Sequence, residues 1–184
     1  MFSLFKNQES KPLIKDLVWF NNEGKKKGFL NLMAQNPDAI CIAWFDDTVE
    51  AYSHLMQEKG ITGKTIYSFR EVNSFITETR MVIFLEHYPL IQKETALIQN
   101  WKTKEIIFLN AMDEPLFLAF GGKNISSVAI KSGLREDEAI EHPLVSKALT
   151  HAREKMASKI QNETVANSSA QWFSMNLPGY LKEY

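Results

Sequence analysis

The stretch from residue 39 to residue 45, AICIAWF, is seven apolar residues in a row. A continuous apolar run of this length, rather than an alternating one, is typical of a strand that is covered on both faces, as strands of a parallel sheet are. An amphipathic helix is predicted directly after it, over residues 48–59, with Gly60 as its stop. A buried strand followed by a helix predicts one βα unit of a parallel sheet.

The same alternation continues on both sides of this unit. Short apolar runs predict further strands at residues 17–20, 64–69, 81–85 and 105–109. Between them, periodic segments predict helices over residues 22–35, 71–78 and 90–101. Strands that alternate with helices predict an α/β fold of three layers, in which a parallel sheet of about five strands has helices on both faces.

Composition limits the classes of function. With 184 residues, of which 45% are hydrophobic, the chain can form a core without disulfides or metal. Its net charge of −1 gives no broad attraction for nucleic acid, and its apolar runs are far shorter than the roughly 20 residues of a membrane span. The single cysteine, Cys41, excludes intrachain disulfides and multi-cysteine metal sites. We expect a cytoplasmic protein that neither binds nucleic acid nor inserts into a membrane.

A helical appendage is predicted at the C-terminal end. His142 and Pro143 mark a helix start, with proline at the first helical position. Apolar residues then recur at a helical period and predict one packed face, formed by Leu144, Val145, Ala148, Leu149, Ala152, Met156 and Ile160. Further on, a second apolar cluster is formed by Trp172, Phe173, Met175 and Leu177. This cluster either folds back onto the sheet domain, which we favour, or forms a docking surface.

Residues 133–155, GLREDEAIEHPLVSKALTHAREK, resemble a known family. They are similar to the passage of the SecA preprotein-translocase motor ATPases in which the second nucleotide-binding, RecA-like domain ends and the helical scaffold begins. The shared features follow in the same order: Gly133-Leu134, the acidic residues 136–138, Ile140-Glu141-His142-Pro143 and Ser146-Lys147-Ala148. This part of the resemblance is the most specific.

Earlier segments resemble the same RecA-like domain in pattern, so that the resemblance runs from about residue 16 to residue 160. Its elements are Asp16 to Phe20, Glu23-Gly24-Lys25, Phe29, Leu55 to Ile61, Ile107 to Leu109, Asp113-Glu114, Phe120-Gly121 and Ile125. The polar residues 1–14 predict a loosely ordered leader. The resemblance implies a RecA-like domain over residues 15–132 and the helical appendage over residues 133–184.

The family's catalytic residues are missing. The chain has four arginines, and none lies between residues 81 and 134, where the family has the arginines that stabilise a transferring phosphoryl group. The family's Gly-Arg-Gly-Thr-Asp loop has no counterpart either. Gly63-Lys64-Thr65 looks like the end of a P-loop, but Glu58 stands where the first glycine is required. We therefore expect no catalytic residue and no cofactor, with ATP or ADP and magnesium as the alternative.

Polar residues at the predicted strand ends are the candidate ligand-binding residues. Asp46 and Asp47 could hold magnesium or receive a phosphoryl group, but capping of the next helix by Asp47, with Glu50 as its partner, is favoured. Glu86 and His87 could form an acid-base pair, although a pair exposed in a loop is favoured, since no nucleophile motif accompanies them. With Asp113, these residues define the alternative ligand-binding site. The sequence contains no set of metal-ligating residues at a recognisable spacing.

Two functions from different classes follow. The favoured one is a non-catalytic interaction or regulatory protein, whose partner by analogy is a translocation motor, another translocation component or a second copy of the chain. The alternative is a Rossmann-like protein that binds a nucleotide or another small ligand at the carboxyl ends of the strands.

Overall fold

The structure, a computed structural model, describes residues 12–119, 135 and 138–179. Its strands are β1 (Leu13–Trp19), β2 (Ile40–Ala43), β3 (Ile66–Ser68), β4 (Met81–Phe84) and β5 (Glu105–Ala111). Its helices are α1 (Asn22–Gln35), α2 (Asp46–Glu58), α3 (Ser74–Thr77), α4 (Ile91–Ile98), α5 (Pro115–Leu118), α6 (Pro143–Ala157) and α7 (Ser169–Asn176). All strand pairs in the sheet are parallel, and their order is β1-β5-β4-β2-β3. The predicted parallel α/β fold is confirmed.

Apolar clusters cover both faces of the sheet, because successive strand residues point to opposite sides. Cys41 of β2 belongs to one cluster and Ile42 to the other. Helices α1 and α2 cover the first face with Phe29, Met33, Tyr52 and Met56. Helices α6 and α7 cover the second face with Leu149, Met156, Trp172 and Phe173. Burial raises the pKa of the Cys41 thiol to about 12, as suits an unreactive core residue.

Several predicted boundaries differ from the observed ones. β1 begins at Leu13, inside the segment assigned to the leader. The prediction missed this start because β1 is an edge strand whose first residues, Leu13 and Ile14, are exposed and lack the burial pattern of a central strand. The helix predicted over residues 71–78 is the single turn of α3. The predicted boundary between residues 132 and 133 lies outside the described residues, as do Phe120, Gly121, Ile125, Gly133 and Leu134 of the resemblance.

The packed face of α6 agrees with the prediction at Leu149 and Met156, which are buried, and at Val145 and Ile160, which pack against the core, but not at Leu144. Leu144 was expected to face inward, but it is 69% exposed. The buried residues of this helix are Leu149, Arg153 and Met156, and at about 100° per residue Leu144 lies roughly 140° around the helix from Leu149. The apolar pattern did not include Arg153, a charged residue of the same face that is buried.

Replacing Leu149 by alanine should lower the free energy of unfolding by about 2–4 kcal/mol, because the side chain is buried and its removal leaves a cavity. Chemical denaturation of the full chain measures this loss. The matched control is Lys147→Ala on the exposed side of the same helix, which should change stability by less than about 0.5 kcal/mol. An unchanged denaturation midpoint for Leu149→Ala would mean that α6 does not unfold together with the sheet.

Candidate functional site

The carboxyl ends of β2 and β4 border a cleft. The connection that leaves β2 leads to β3 on one side, and the one that leaves β4 leads to β5 on the other. This is the switch point at which open α/β sheets bind ligands. The cleft has a volume of about 200 Å³. It is lined by Asn22, Asp47, Thr48, Glu86, His87, Asn110, Glu114, Pro115, Leu116, Ser169 and Ala170.

Glu86 joins the two strand ends across this cleft. Its Oε1 accepts hydrogen bonds from the backbone N–H groups of Trp44, at 2.8 Å, and Phe45, at 3.1 Å. Its Oε2 accepts one from the Thr48 hydroxyl. Burial raises the pKa of Glu86 to about 7 despite the opposing charge of Lys25. The carboxyl group therefore anchors the first turn of α2 and is not presented to solvent.

The predicted capping role of Asp47 is wrong. The residue at the N-cap of α2 is Phe45, which has no side-chain cap, and Asp47 lies inside the first turn. The N–H group of Phe45 bonds to Glu86 from the neighbouring strand end, and in the predicted capping box Glu50 would have accepted the N–H of Asp47. Asp47 donates its own backbone N–H to the carbonyl oxygen of Asn167, at 3.2 Å. Tertiary contacts have replaced the local cap.

A buried ion pair lies behind the cleft. Lys25 of α1 is only 1% exposed, and its Nζ donates to Oε1 of Glu114. The second carboxylate oxygen of Glu114 accepts a hydrogen bond from the backbone N–H of Ala111, at 2.8 Å. Burial alone would lower the pKa of Lys25, but the charge of Glu114 holds it above its ordinary value. Lys25 therefore stays charged, and its charge is already matched by Glu114.

His87 belongs to a second buried network. Its Nε2 lies 2.7 Å from Oδ1 of Asp16, and its Nδ1 lies 2.9 and 3.1 Å from the two carboxylate oxygens of Glu94. Arg153 of α6 pairs with Glu94 at 2.6 Å and donates two hydrogen bonds to the carbonyl oxygen of Tyr88. Glu86 and His87 are each only 7% exposed. The prediction that they form an exposed loop pair is therefore wrong, because their polar atoms have partners inside the fold.

Two other predicted residues lie away from the cleft lining. Asp46 is exposed and forms an ion pair with Arg70, with 3.0 Å between Oδ1 and Nη1. Asp113 accepts hydrogen bonds from the backbone N–H and the side-chain amide of Asn22, at 3.1 and 3.0 Å, at the start of α1. The structure thus brings Asp47, Glu86 and His87 to one cleft and gives Asp46 and Asp113 separate partners.

The C-terminal segment covers one side of the cleft. Ser169 and Ala170, in the first turn of α7, belong to its lining. Glu163 holds this segment in place, because its carboxylate accepts hydrogen bonds from the Tyr88 hydroxyl and from Nε1 of Trp172, the latter at 2.8 Å. Lys93 of α4 also pairs with it. The apolar cluster predicted at this end folds back onto the sheet, apart from Met175.

Sequence reasoning missed several residues around the cleft. Asp16, Glu94 and Arg153 surround His87, while Lys25 and Asn110 lie beneath or along the cleft. One signal was available for Arg153, since it falls at the same helical period as Leu149 and Met156. Within the described part of the chain, no group of three histidine, cysteine or acidic side chains is placed to hold a metal ion. No helix in that part is long and apolar enough to cross a membrane.

The fold and cleft define a three-layer α/β domain whose switch-point residues are bonded to one another. Comparison with known proteins adds a relation to SecA. The chain is 40% identical over 52 residues to the protein translocase subunit SecA of Acidithiobacillus ferrooxidans. It is 38% identical over 55 residues to that of Treponema denticola and 42% identical over 52 residues to that of Clostridium botulinum.

These matches are partial. Each covers 28–30% of this chain and about 6% of the SecA relative. No family model matches the chain. The chain therefore contains a SecA-related region.

Proposed function

We propose that this chain is a non-catalytic SecA-like domain that acts as an interaction or regulatory module in protein translocation. The observation that carries the proposal is the state of the switch-point cleft: the carboxylates of Glu86 and Glu114 have partners within the fold. Small-molecule sites orient their ligand with a few precisely placed polar groups, and these two carboxylates already bind groups of the protein. The regions similar to SecA supply the link to translocation, and a cytoplasmic location goes with it.

The electrostatics of the cleft disfavour a nucleotide. Phosphoryl transfer requires positive charge next to the phosphate oxygens. Among the described residues, the acidic side chains of the cleft lining are Asp47, Glu86 and Glu114, its basic side chain is His87, and neither lysine nor arginine belongs to it. The volume of about 200 Å³ is also below the roughly 300–1,000 Å³ of ordinary small-molecule sites. A cleft of this size, in which the described residues supply no lysine or arginine, disfavours a triphosphate.

Two of the four arginines have other roles. Arg153 is buried against Glu94 and His87, and Arg70 pairs with Asp46 on the surface. A degenerate nucleotide-binding domain of this kind retains its layers and its helical surfaces. Protein binding is the function that such a scaffold supports best, and the proposed partners are a SecA motor, another translocation component or a second copy of this chain.

Two titrations test the proposal. We expect calorimetry with Mg-ATP and Mg-ADP to give no heat above dilution, and the full chain to release no phosphate from ATP. A SecA motor in the same buffer is the positive control. Titration of this chain into that motor should change its ATPase rate saturably. Nucleotide binding or turnover by this chain alone would contradict the non-catalytic assignment, whereas absence of any effect on the motor would contradict only that choice of partner.

A small polar ligand in the cleft is the alternative function. It is favoured by one observation, namely that Glu86 lines the cleft and has its pKa raised to about 7, as groups in binding and catalytic sites often do. A ligand screen by thermal shift, repeated on Glu86→Gln, separates the two functions. A compound that stabilises the native protein but not Glu86→Gln would favour the ligand site.

A further inference from the structure

The C-terminal segment, residues 163–177 with α7, closes on itself through its own hydrogen bonds. The backbone N–H of Thr164 donates to Oδ1 of Asn176 at 2.7 Å, and Nδ2 of Asn176 donates to the carbonyl oxygen of Thr164 at 2.8 Å. These bonds lie within the segment and do not depend on the sheet. Two exposed residues, Gln161 and Asn162, connect it to the end of α6. The segment can therefore separate from the sheet as one unit, by local unfolding.

One carboxylate anchors the start of the segment. Glu163, whose side chain is 12% exposed, accepts a hydrogen bond from the Tyr88 hydroxyl and pairs with Nζ of Lys93 on α4. Burial would raise the pKa of Glu163, but the bonds from Lys93 and Tyr88 hold it below its ordinary value. Nζ of Lys93 also lies 5.2 Å from the centre of the Tyr88 ring, so the two donors are held side by side. A hydroxyl next to a cation is a binding site for a carboxylate.

A tryptophan fills the apolar part of the same surface. Trp172 is fully buried, and the centre of its ring lies 6.2 Å from that of Tyr88. It belongs to the same buried cluster as Phe45 and Phe117. Its Nε1 donates to Glu163 at 2.8 Å, so the indole and the carboxylate are bound together. Tryptophans that fill a pocket in this way are the residues that carry most of the binding energy in many protein–protein interfaces.

A main-chain contact lies between these two side chains in the sequence. The backbone N–H of Asp47, in the first turn of α2, donates to the carbonyl oxygen of Asn167 at 3.2 Å. Every residue has such a carbonyl, so this contact recognises a peptide backbone and not a particular side chain. The segment is thus bound through a carboxylate, a backbone carbonyl and an indole, all of which a segment of another protein can supply.

We propose that the surface formed by Asp47, Tyr88 and Lys93, called the docking surface below, binds a partner protein through a segment that carries an acidic residue and, nine residues later, a tryptophan. In the free chain, the C-terminal segment occupies this surface and competes with the partner. Lys93 and the Tyr88 hydroxyl then bind the acidic residue of the partner in place of Glu163. The inference rests on the proposed function, because it names the surface through which such an interaction module binds.

Peptide binding to the full chain tests the docking surface. The probe is a fluorescently labelled peptide with the sequence of residues 161–179, and its anisotropy is measured with the native chain and with Trp172→Ala. We expect saturable binding to Trp172→Ala, whose own segment has lost its indole. Binding to the native chain should be weaker by about tenfold or more, because its tethered segment competes at an effective concentration on the order of millimolar. No saturable binding to Trp172→Ala, or equal binding to both proteins, would overturn the proposal.

A conservative change on the sheet side locates the bound peptide. Tyr88→Phe, added to Trp172→Ala, removes the hydroxyl donor and keeps the ring. It should weaken binding of the peptide about tenfold, as loss of a hydrogen bond to a charged group does. A peptide with Glu163→Ala should bind equally well with and without Tyr88→Phe, because it lacks the acceptor. An equal loss for both peptides would show that Glu163 does not meet Tyr88 and would overturn the assignment.

Two further measurements keep the outcomes separate. If Trp172→Ala fails to fold, Glu163→Ala serves as the receptor, since it removes the polar anchor and keeps the indole. A native dimer in sedimentation that Trp172→Ala makes monomeric would overturn the proposal, because a second copy would then occupy the surface. The peptide titration contains no translocation motor and no nucleotide. Its failure overturns the docking surface, whereas nucleotide turnover by this chain overturns the proposed function.

Discussion

Replacing Arg153 by leucine should lower the free energy of unfolding by about 3–5 kcal/mol, which is the cost of breaking a buried ion pair by removing one partner. The guanidinium is 3% exposed, lies 2.6 Å from the Glu94 carboxylate and donates two hydrogen bonds to the Tyr88 carbonyl. Leucine fills part of the volume of the arginine side chain, but it leaves the carboxylates of Glu94 and Asp16 with His87 as their remaining partner in the cluster. Urea denaturation of the full chain measures the loss.

An exposed arginine provides the matched control. Arg70 also pairs with an aspartate, at 3.0 Å, but both side chains of that pair are about half exposed. Its replacement by leucine should cost less than about 1 kcal/mol, because water screens the pair and solvates Asp46 when the arginine is gone. Equal effects of the two substitutions would mean that the Arg153 cluster contributes no more than a surface pair.

The layers of the fold were predictable because they depend on local patterns. The run AICIAWF is apolar on both sides of the strand, and the strand it forms, β2, is central in the sheet, between β4 and β3. The predicted start of the edge strand β1 lies several residues after the observed one, since the first residues of β1 are exposed and show no alternation of buried and exposed side chains. A strand buried on both faces has a continuous apolar sequence that is easily recognised, whereas the sequence of an edge strand has no such pattern.

The site was predictable in position but not in chemistry. Strand ends can be identified from sequence, and of the five residues predicted there, Asp47, Glu86 and His87 line one cleft, whereas Asp46 and Asp113 do not. The partners of His87 cannot be identified from sequence, because Asp16 and Arg153 lie 71 and 66 residues away from it along the chain. Pattern reasoning also treats a charged residue as solvated, and it therefore placed Arg153 outside the packed face of α6.

Trp172 is one of the buried residues that attach the C-terminal segment to the sheet, with Phe173 and Leu177. Trp172 is fully buried, and its ring contacts those of Tyr88 and Phe173 at centroid distances of 6.2 and 5.2 Å. Its Nε1 donates to Glu163, which also binds the Tyr88 hydroxyl and Lys93. The same segment lines the cleft through Ser169, so the anchoring of Trp172 and the cover of the cleft are coupled.

Trp172→Ala should lower the free energy of unfolding by about 3–5 kcal/mol, since it removes the largest buried side chain of α7 and leaves a cavity beside Tyr88. The control is Met175→Ala on the same helix, where the side chain is 47% exposed and the loss should stay below about 1 kcal/mol. Denaturation followed by fluorescence and by circular dichroism measures both. One transition at lower denaturant means that α7 belongs to the cooperative core. If Trp172→Ala leaves the main transition unchanged and only adds an early one, α7 instead unfolds separately, and the cleft would open without loss of the sheet.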